Sequence, residues 1–291
     1  MKQGLVLKNQ NGYFSVITDE GRLYTCRSRG RLKRKSSVLV GDAVTLDPIN
    51  EEEAVLLSVL PRKTELFRPP AANIDELVLT VSAASPTLDL SLLDRMIVLA
   101  EEAGTTPVIC LSKADLDEER ALRAAALYKE AGYPVAVTSM VKEEGLLQLT
   151  SLLTGRIIAF SGPSGVGKSS LINALLGRSH FETQSVSAAI GRGRNTTRHA
   201  ELVRFAKHSY LMDTPGYTAL SLEHLTPEGL DYDFREFRPF LGTCRFADCR
   251  HISEPSCAVR KAVEDGIIAA SRYRSYCELY EEIMEQERHK Y

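Results

Sequence analysis

Eight residues, Gly162-Pro-Ser-Gly-Val-Gly-Lys-Ser169, restrict the fold of this chain more than any other stretch. They have the spacing G-x-x-x-x-G-K-[ST], they follow the apolar run RIIAFS, and they open the helical run SLINALLG. A strand that turns through such a loop into a helix aims successive backbone N–H groups and the positive helix end at one point, which is a seat for phosphate. The residues expected around that seat are Gly162, Pro163, Ser164, Gly165, Val166, Gly167, Lys168, Ser169 and Ser170. Lys168 is expected to reach the terminal phosphates and the Ser169 hydroxyl to ligate Mg2+.

The surroundings suit such a loop. From about Asn73, the buried-strand runs DELVLTVSAA, TPVICLSKAD, YPVAVTSM and RIIAFS alternate with the helical runs LDLSLLDRMIVLAEEAG, DEERALRAAALYKEAG and EGLLQLTSLLTG. That alternation predicts a parallel sheet covered on both faces. AELVRFAKHSYLMDTPG, further on, reads as two strands. Residues 1 to about 66 have another rhythm, five short β segments (GLVLKN, GYFSVITD, RLYTCRSR, SSVLVGDAVTLD, EEAVLLSVL) punctuated by Gly, Asn and Asp. They predict a small barrel; the five-stranded OB type fits, and an SH3-like barrel is the alternative. The expected architecture is multidomain: an OB-fold β-barrel at 1–66, an α/β P-loop domain at 67–224, and a mainly α, metal-binding domain at 225–291.

Hydrophobic residues at 44% against 25% charged argue for a packed globular protein rather than a disordered one. No apolar run approaches the ~18 residues of a bilayer span, and MKQGLVLKNQNGYF lacks a signal-peptide core, so the expected location is cytoplasmic with no membrane partner. The net charge of −2 conceals an asymmetry, because residues 1–68 hold 12 Lys and Arg against 8 Asp and Glu. A basic module on an acidic body suggests a localised polyanion contact. CRSRGRLKRK concentrates it in Arg27, Arg29, Arg31, Lys33, Arg34 and Lys35, on what is expected to be a barrel loop. Arg272 and Arg274, with Tyr273 and Tyr276, form a second candidate RNA surface, the alternative being a core-packing amphipathic helix. Neither pattern suggests base-specific readout; shape and phosphate contact are expected, and no DNA partner.

A phosphate seat does not say which nucleotide. Asp213-Thr-Pro-Gly216 follows SYLM as D-x-x-G, with Asp213 expected on Mg2+ through water and the Gly216 N–H at the γ-phosphate. Between the two motifs, GRGRNTTRHAEL offers Thr196 and Thr197, either of which completes a Mg2+ shell. Lys168, Thr196, Thr197, Asp213 and Gly216 form the expected catalytic set. Upstream lies Ser112-Lys113-Ala114-Asp115, whose aspartate can accept from both guanine N1–H and N2, a donor pair adenine lacks. On its own the tetrad also reads as a strand end with a helix-capping aspartate. Thr138, Ser139 and Met140, one strand later, are placed to offer backbone N–H groups to guanine O6. Base-reading segments before the phosphate loop reverse the usual order, so the reading requires a circularly permuted domain. A two-faced sheet tolerates that, since joining old termini and opening a surface loop keeps every packing contact.

Cys244-x4-Cys249-x-His251-x5-Cys257 supplies three thiolates and an imidazole, which suits one tetrahedral structural Zn2+. Free buried cysteines are the alternative. With these motifs assembled, the chain resembles the ribosome small-subunit-dependent GTPases, carried by GPSGVGKSS, GRGRNTTRHAEL, DTPG and CRFADCRHISEPSCAV. The resemblance implies a circularly permuted GTPase with an N-terminal OB domain and a C-terminal zinc domain. It further implies GTP hydrolysis stimulated by the 30S subunit and its 16S rRNA late in that particle's maturation, by a monomer.

Three positions depart from the usual patterns. Ser112 stands where most GTPases have Asn, which is expected to weaken one contact to the base or the phosphate-loop backbone. Asn195 stands where many relatives have His, and Tyr217 where Ras-like enzymes place a water-orienting Gln. Slow unaided turnover is therefore expected. Two competing readings are a P-loop ATPase or small-molecule kinase and a non-catalytic RNA-binding scaffold with structural nucleotide.

Overall fold

The structure, a computed structural model, describes residues 1–10, 12–28, 37–67, 70–153, 157–177, 201–206, 209–213 and 225–289. Its first five strands, β1 (Lys2–Gln10), β2 (Tyr13–Thr18), β3 (Leu23–Ser28), β4 (Ala43–Pro48) and β5 (Glu53–Val59), pair in the cyclic order β1-β2-β3-β5-β4-β1. Alternate side chains point inward, and Val6, Phe14, Val16, Tyr24, Cys26, Val44, Leu46 and Leu56 fill the barrel. A short hairpin, β6 (Glu65–Phe67) and β7 (Pro70–Ala72), connects the barrel to the next unit, and the expected division after residue 66 falls within it. Gly41 abuts this connector so closely that a Cβ would lie 2.0 Å from Ala72 O, and its φ of +89° also demands glycine.

The central unit contains β8 (Glu76–Ser82), α1 (Leu90–Glu102), β9 (Thr106–Ser112), α2 (Glu118–Glu130), β10 (Val135–Val137), α3 (Leu146–Leu152), β11 (Ile157–Ser161), α4 (Lys168–Leu176), β12 (Glu201–Ala206) and β13 (Ser209–Asp213). The order across this part of the sheet is β10-β9-β8-β11-β13-β12, parallel except for β12. Period-two alternation distributes side chains between its faces. Leu77, Leu79, Val81, Ile109 and Leu111 pack under α1 and α2, while Val78, Val108, Ile158 and Phe160 pack under α3 and α4. Asp89 caps α1 by accepting from Leu92 N at 3.1 Å, and Asp117 caps α2 by accepting from Arg120 N at 3.0 Å. Barrel and sheet are joined where Lys8 of β1 pairs with Glu201 of β12, so one ladder runs through both.

The C-terminal segment adds α5 (Ala258–Glu264) and α6 (Ala270–His289) around Phe234, Phe237, Val259, Ile268, Tyr276 and Leu279. Val98 of α1 belongs to this second core although Leu93, Met96, Ile97 and Ala100 of the same helix face the sheet. Helix α1 is therefore buried on two sides, and each large apolar side chain so placed contributes about 1.5–3 kcal/mol.

Candidate functional site: nucleotide pocket and metal centre

β11 ends at Ser161 and hands the chain to the phosphate loop. At Gly162 the backbone lies against β8, and a Cβ would meet Thr80 O at 2.0 Å, so glycine is obligatory. Gly167, left-handed, starts α4, and no side chain caps that helix end, so its first amides remain directed at the loop's hollow. Ser164, Ser169 and Ser170 are exposed there. Lys168 folds back, its Nζ donating to Gly162 O and Pro163 O at 2.7 Å each, and burial holds its pKa below the usual lysine value. A folded-back ammonium is poised to exchange two carbonyls for phosphate oxygens.

β9 brings the tetrad to the same edge. Ser112 Oγ lies 2.6 Å from Val166 O in the phosphate loop and 3.1 Å from Val81 O, and its one proton goes to the nearer carbonyl. A hydroxyl on the strand end thus spans the gap to the phosphate-loop backbone. Lys113, at φ 53°, donates through Nζ to Gly165 O and to Ser85 O, both at 2.7 Å. Two tetrad side chains thus hold two consecutive carbonyls of the phosphate loop. Asp115 Oδ1 accepts from Ser139 Oγ at 2.5 Å, and Ala114 N donates to Thr138 O at 3.1 Å. The helix cap is Asp117, so Asp115 is not spent on capping. The Thr138 and Ser139 amides already donate to Leu111 O and Glu144 O, at 2.8 and 3.0 Å. The expectation that they serve guanine O6 is corrected; of the three residues only Met140 is left for it.

Asp213 ends β13 beside β11, where Ala159 pairs with Met212. Thr196, Thr197, Gly216, Asn195 and Tyr217 lie outside the described residues, as do Arg29, Arg31, Lys33, Arg34 and Lys35. Arg27 is exposed on β3, its guanidinium 4.4 Å from the Tyr13 ring centroid and hydrogen-bonded to the Tyr13 hydroxyl. Arg274 is exposed as expected. Arg272 is not: at 1% exposure it is buried in ion pairs with Asp94 and Glu236, which removes it from any RNA surface. A charge so deeply buried is tolerated only when paired.

The thiols of Cys244, Cys249 and Cys257 and the imidazole of His251 converge, every donor within 4.8 Å of the others. His251 Nδ1 lies 3.5, 3.5 and 3.3 Å from the three Sγ atoms, and Cys244 Sγ lies 3.9 Å from Cys257 Sγ. Tetrahedral Zn2+ with ordinary bond lengths requires donor separations of about 3.5–3.8 Å, so the donor set fits that ion. All four positions come from protein, which is the pattern of a structural site. Asp231, which the spacing argument did not find, lies 3.3 Å from His251 Nε2 and orients the ring for Nδ1 ligation. Ala258 N and Arg260 N donate to Cys244 and Cys257 Sγ at 3.3 and 3.4 Å, and the second of these caps α5.

A phosphate loop gripped by an S-K-x-D tetrad that precedes it in sequence is the arrangement of a circularly permuted P-loop GTPase. The family model described as RsgA GTPase matches residues 59–223, and that described as RsgA N-terminal domain matches residues 3–56. The chain belongs to this RsgA GTPase family. The Small ribosomal subunit biogenesis GTPase RsgA of Caldanaerobacter subterraneus subsp. tengcongensis is 40% identical over 99% of this chain and 98% of its own length. The protein of the same description from Geobacillus thermodenitrificans is 42% identical over 98% and 99%. Among solved structures, YloQ, a circularly permuted GTPase, superposes with a TM-score of 0.85 at 34% identity, covering 98% of this chain and 96% of that one. YjeQ from Thermotoga maritima gives 0.83 at 34% identity, over 97% and 98%. No helix among the described residues is long and apolar enough to cross a membrane.

Proposed function

We propose that this chain hydrolyses GTP to GDP and phosphate on the small (30S) ribosomal subunit during its late assembly, and that the subunit stimulates the reaction. The observation that carries the nucleotide reading is the seam from Ser112 and Lys113 to Val166 and Gly165, with Asp115 beside it. That seam gives a guanine reader and a phosphate seat one shared frame. Asp115 accepts from guanine N1–H and N2, and leaving it unpaired over adenine costs about 1–3 kcal/mol. Lys168 and the α4 amides hold the β- and γ-phosphates while water oxygen attacks the γ-phosphorus and the bond to the β-phosphate oxygen breaks. Mg2+ held by Ser169, one of Thr196 and Thr197, and Asp213 through water would offset the charge developing on those oxygens. Gly216 N–H is assigned to the γ-phosphate.

Cys244, Cys249, His251 and Cys257 would hold one Zn2+ that fixes the loop before α5 without entering the chemistry. Arg27 on β3, the chain's Arg29, Arg31, Lys33, Arg34 and Lys35, and Arg274 on α6 are assigned to 16S rRNA phosphates. The working units are 1–66, 67–224 and 225–291, in a monomeric cytoplasmic protein. The test is hydrolysis rate against 30S concentration, with ATP alongside. The expected result is a rate that climbs and saturates with subunit for GTP alone. Equal GTP rates with and without subunit sink the stimulated mechanism, and equal turnover of ATP would favour a P-loop ATPase or kinase.

A further inference from the structure

The junction that buries Arg272 takes no part in the phosphate chemistry or the metal shell. Its guanidinium donates through Nη1 to Asp94 Oδ1 at 2.6 Å, through Nε to Glu236 Oε1 at 2.6 Å and through Nη2 to Glu236 Oε2 at 3.3 Å. The Phe234 ring lies 4.6 Å from it and the Tyr128 ring 5.5 Å. Asp94, itself 1% exposed, also accepts from Tyr128 OH at 2.6 Å. Three parts of the fold therefore meet at one charge: α1 through Asp94, the end of α2 through Tyr128, and the C-terminal segment through Arg272 and Glu236.

Contacts lead away from this junction on both sides. On the same turn and the next turn of α6, Tyr273 OH and Tyr276 OH donate to His251 O and Arg250 O, at 2.7 Å each, and so grip the metal loop. On the other side, α2 begins directly after the base tetrad, and the stretch between β8 and α1 supplies Ser85 O, the second acceptor of Lys113. Peripheral links run parallel, with Arg235 and Arg238 on Glu101 and Arg95 on Glu282. Those links are only partly buried, whereas Arg272 and Asp94 are fully buried, and a buried charge cannot leave its partner without a large cost, so the central junction has one arrangement. We propose that Arg272 is a positioning residue for the subunit-stimulated reaction: it locks the metal-bearing segment to α1 and α2 as one body, so that contact with the subunit at that segment reaches the base pocket. The stimulated half of this inference rests on the function proposed above.

Amide hydrogen exchange on the unmodified full chain, with and without a zinc chelator, is the first test. Coupling requires that metal removal speed exchange in α1 and α2 as well as in α6, by roughly tenfold or more. Faster exchange confined to the C-terminal segment overturns the proposal. The second test is the triple variant Arg272→Met, Asp94→Asn, Glu236→Gln, which removes the three charges together and leaves none of them orphaned. Basal hydrolysis and zinc content should stay unchanged while the subunit-dependent increment falls by roughly tenfold. A zinc-loaded triple variant with full stimulation overturns the proposal. If the unmodified protein is not stimulated at all, the proposed function is what fails, and the exchange experiment still decides the coupling.

Discussion

Ser112→Ala removes one hydroxyl from the seam between the base-reading strand and the phosphate loop. Ser112 is 3% exposed and Val166 1%, so water cannot take over the 2.6 Å contact. Alanine keeps nearly the same volume, and the loss is therefore electrostatic: a buried carbonyl without its donor, about 1–3 kcal/mol. How that loss divides depends on when the contact tightens. If it is complete without nucleotide, the cost appears in urea unfolding; if nucleotide completes it, the cost appears in GDP affinity, as a roughly 5- to 150-fold weakening. Calorimetric titration with GDP, together with urea unfolding, measures both parts, and their sum should reach at least about 1 kcal/mol. Preference for GTP over ATP should persist, because Asp115 and its Ser139 contact are untouched. A variant whose two losses together stay below about 0.5 kcal/mol, less than a typical net hydrogen bond, would refute the reasoning.

Three further outcomes follow from the same structure. Chelating zinc should loosen α5 and α6 and change the tyrosine near-UV signal, since Tyr273 and Tyr276 bond to the metal loop; an unaltered spectrum on full metal loss would contradict this. Thr80 is fully buried, and its hydroxyl has no partner among the described residues, so Thr80→Val should raise stability by about 1 kcal/mol in urea unfolding; a clear loss would mean that the hydroxyl is used. Burial, reinforced by Glu102 and Glu101, pushes the Asp233 carboxyl up to about 8. The native state then keeps a proton that the unfolded chain releases near its ordinary value of 3.8, so stability falls as pH rises between those two values and levels off above them. Asp233→Asn should accordingly be the more stable protein above pH about 8, with the gap closing toward pH about 4; a pH-independent difference in melting temperature would rule this out.

The parts of the site legible in sequence are those whose chemistry is local. Strand, glycine turn and helix start lie within one short stretch at 157–176, and three thiols with a histidine lie within another, so spacing alone locates the phosphate seat and the metal donors. What stayed hidden depends on pairs far apart in the chain. Arg272 beside Arg274 and two tyrosines looks like a basic, aromatic face, because its neutralising partners are 36 and 178 residues away. Asp231 is invisible for the same reason, being 20 residues from His251. Ser112 looked like a defect when compared with asparagine by type, and only the position of Val166 O shows that a shorter side chain reaches. The Thr138 amide is committed by the pairing of β10 with β9, and the Ser139 amide by a bridge to Glu144 that no periodicity announces.

The separation of Asp94 from Arg272 also matters before the protein is complete. At translation rates of roughly 5–20 residues per second, the 178 residues between them take about 10–35 s to emerge. For that interval α1 can already rest its Leu93 and Ile97 side against the nascent sheet while its other side, with Val98, has nothing to cover it. An ordinary, hydrated carboxylate at Asp94 keeps that waiting side wettable. When α6 arrives, its guanidinium takes the place of the water, so a residue that serves solubility early becomes part of the interior late.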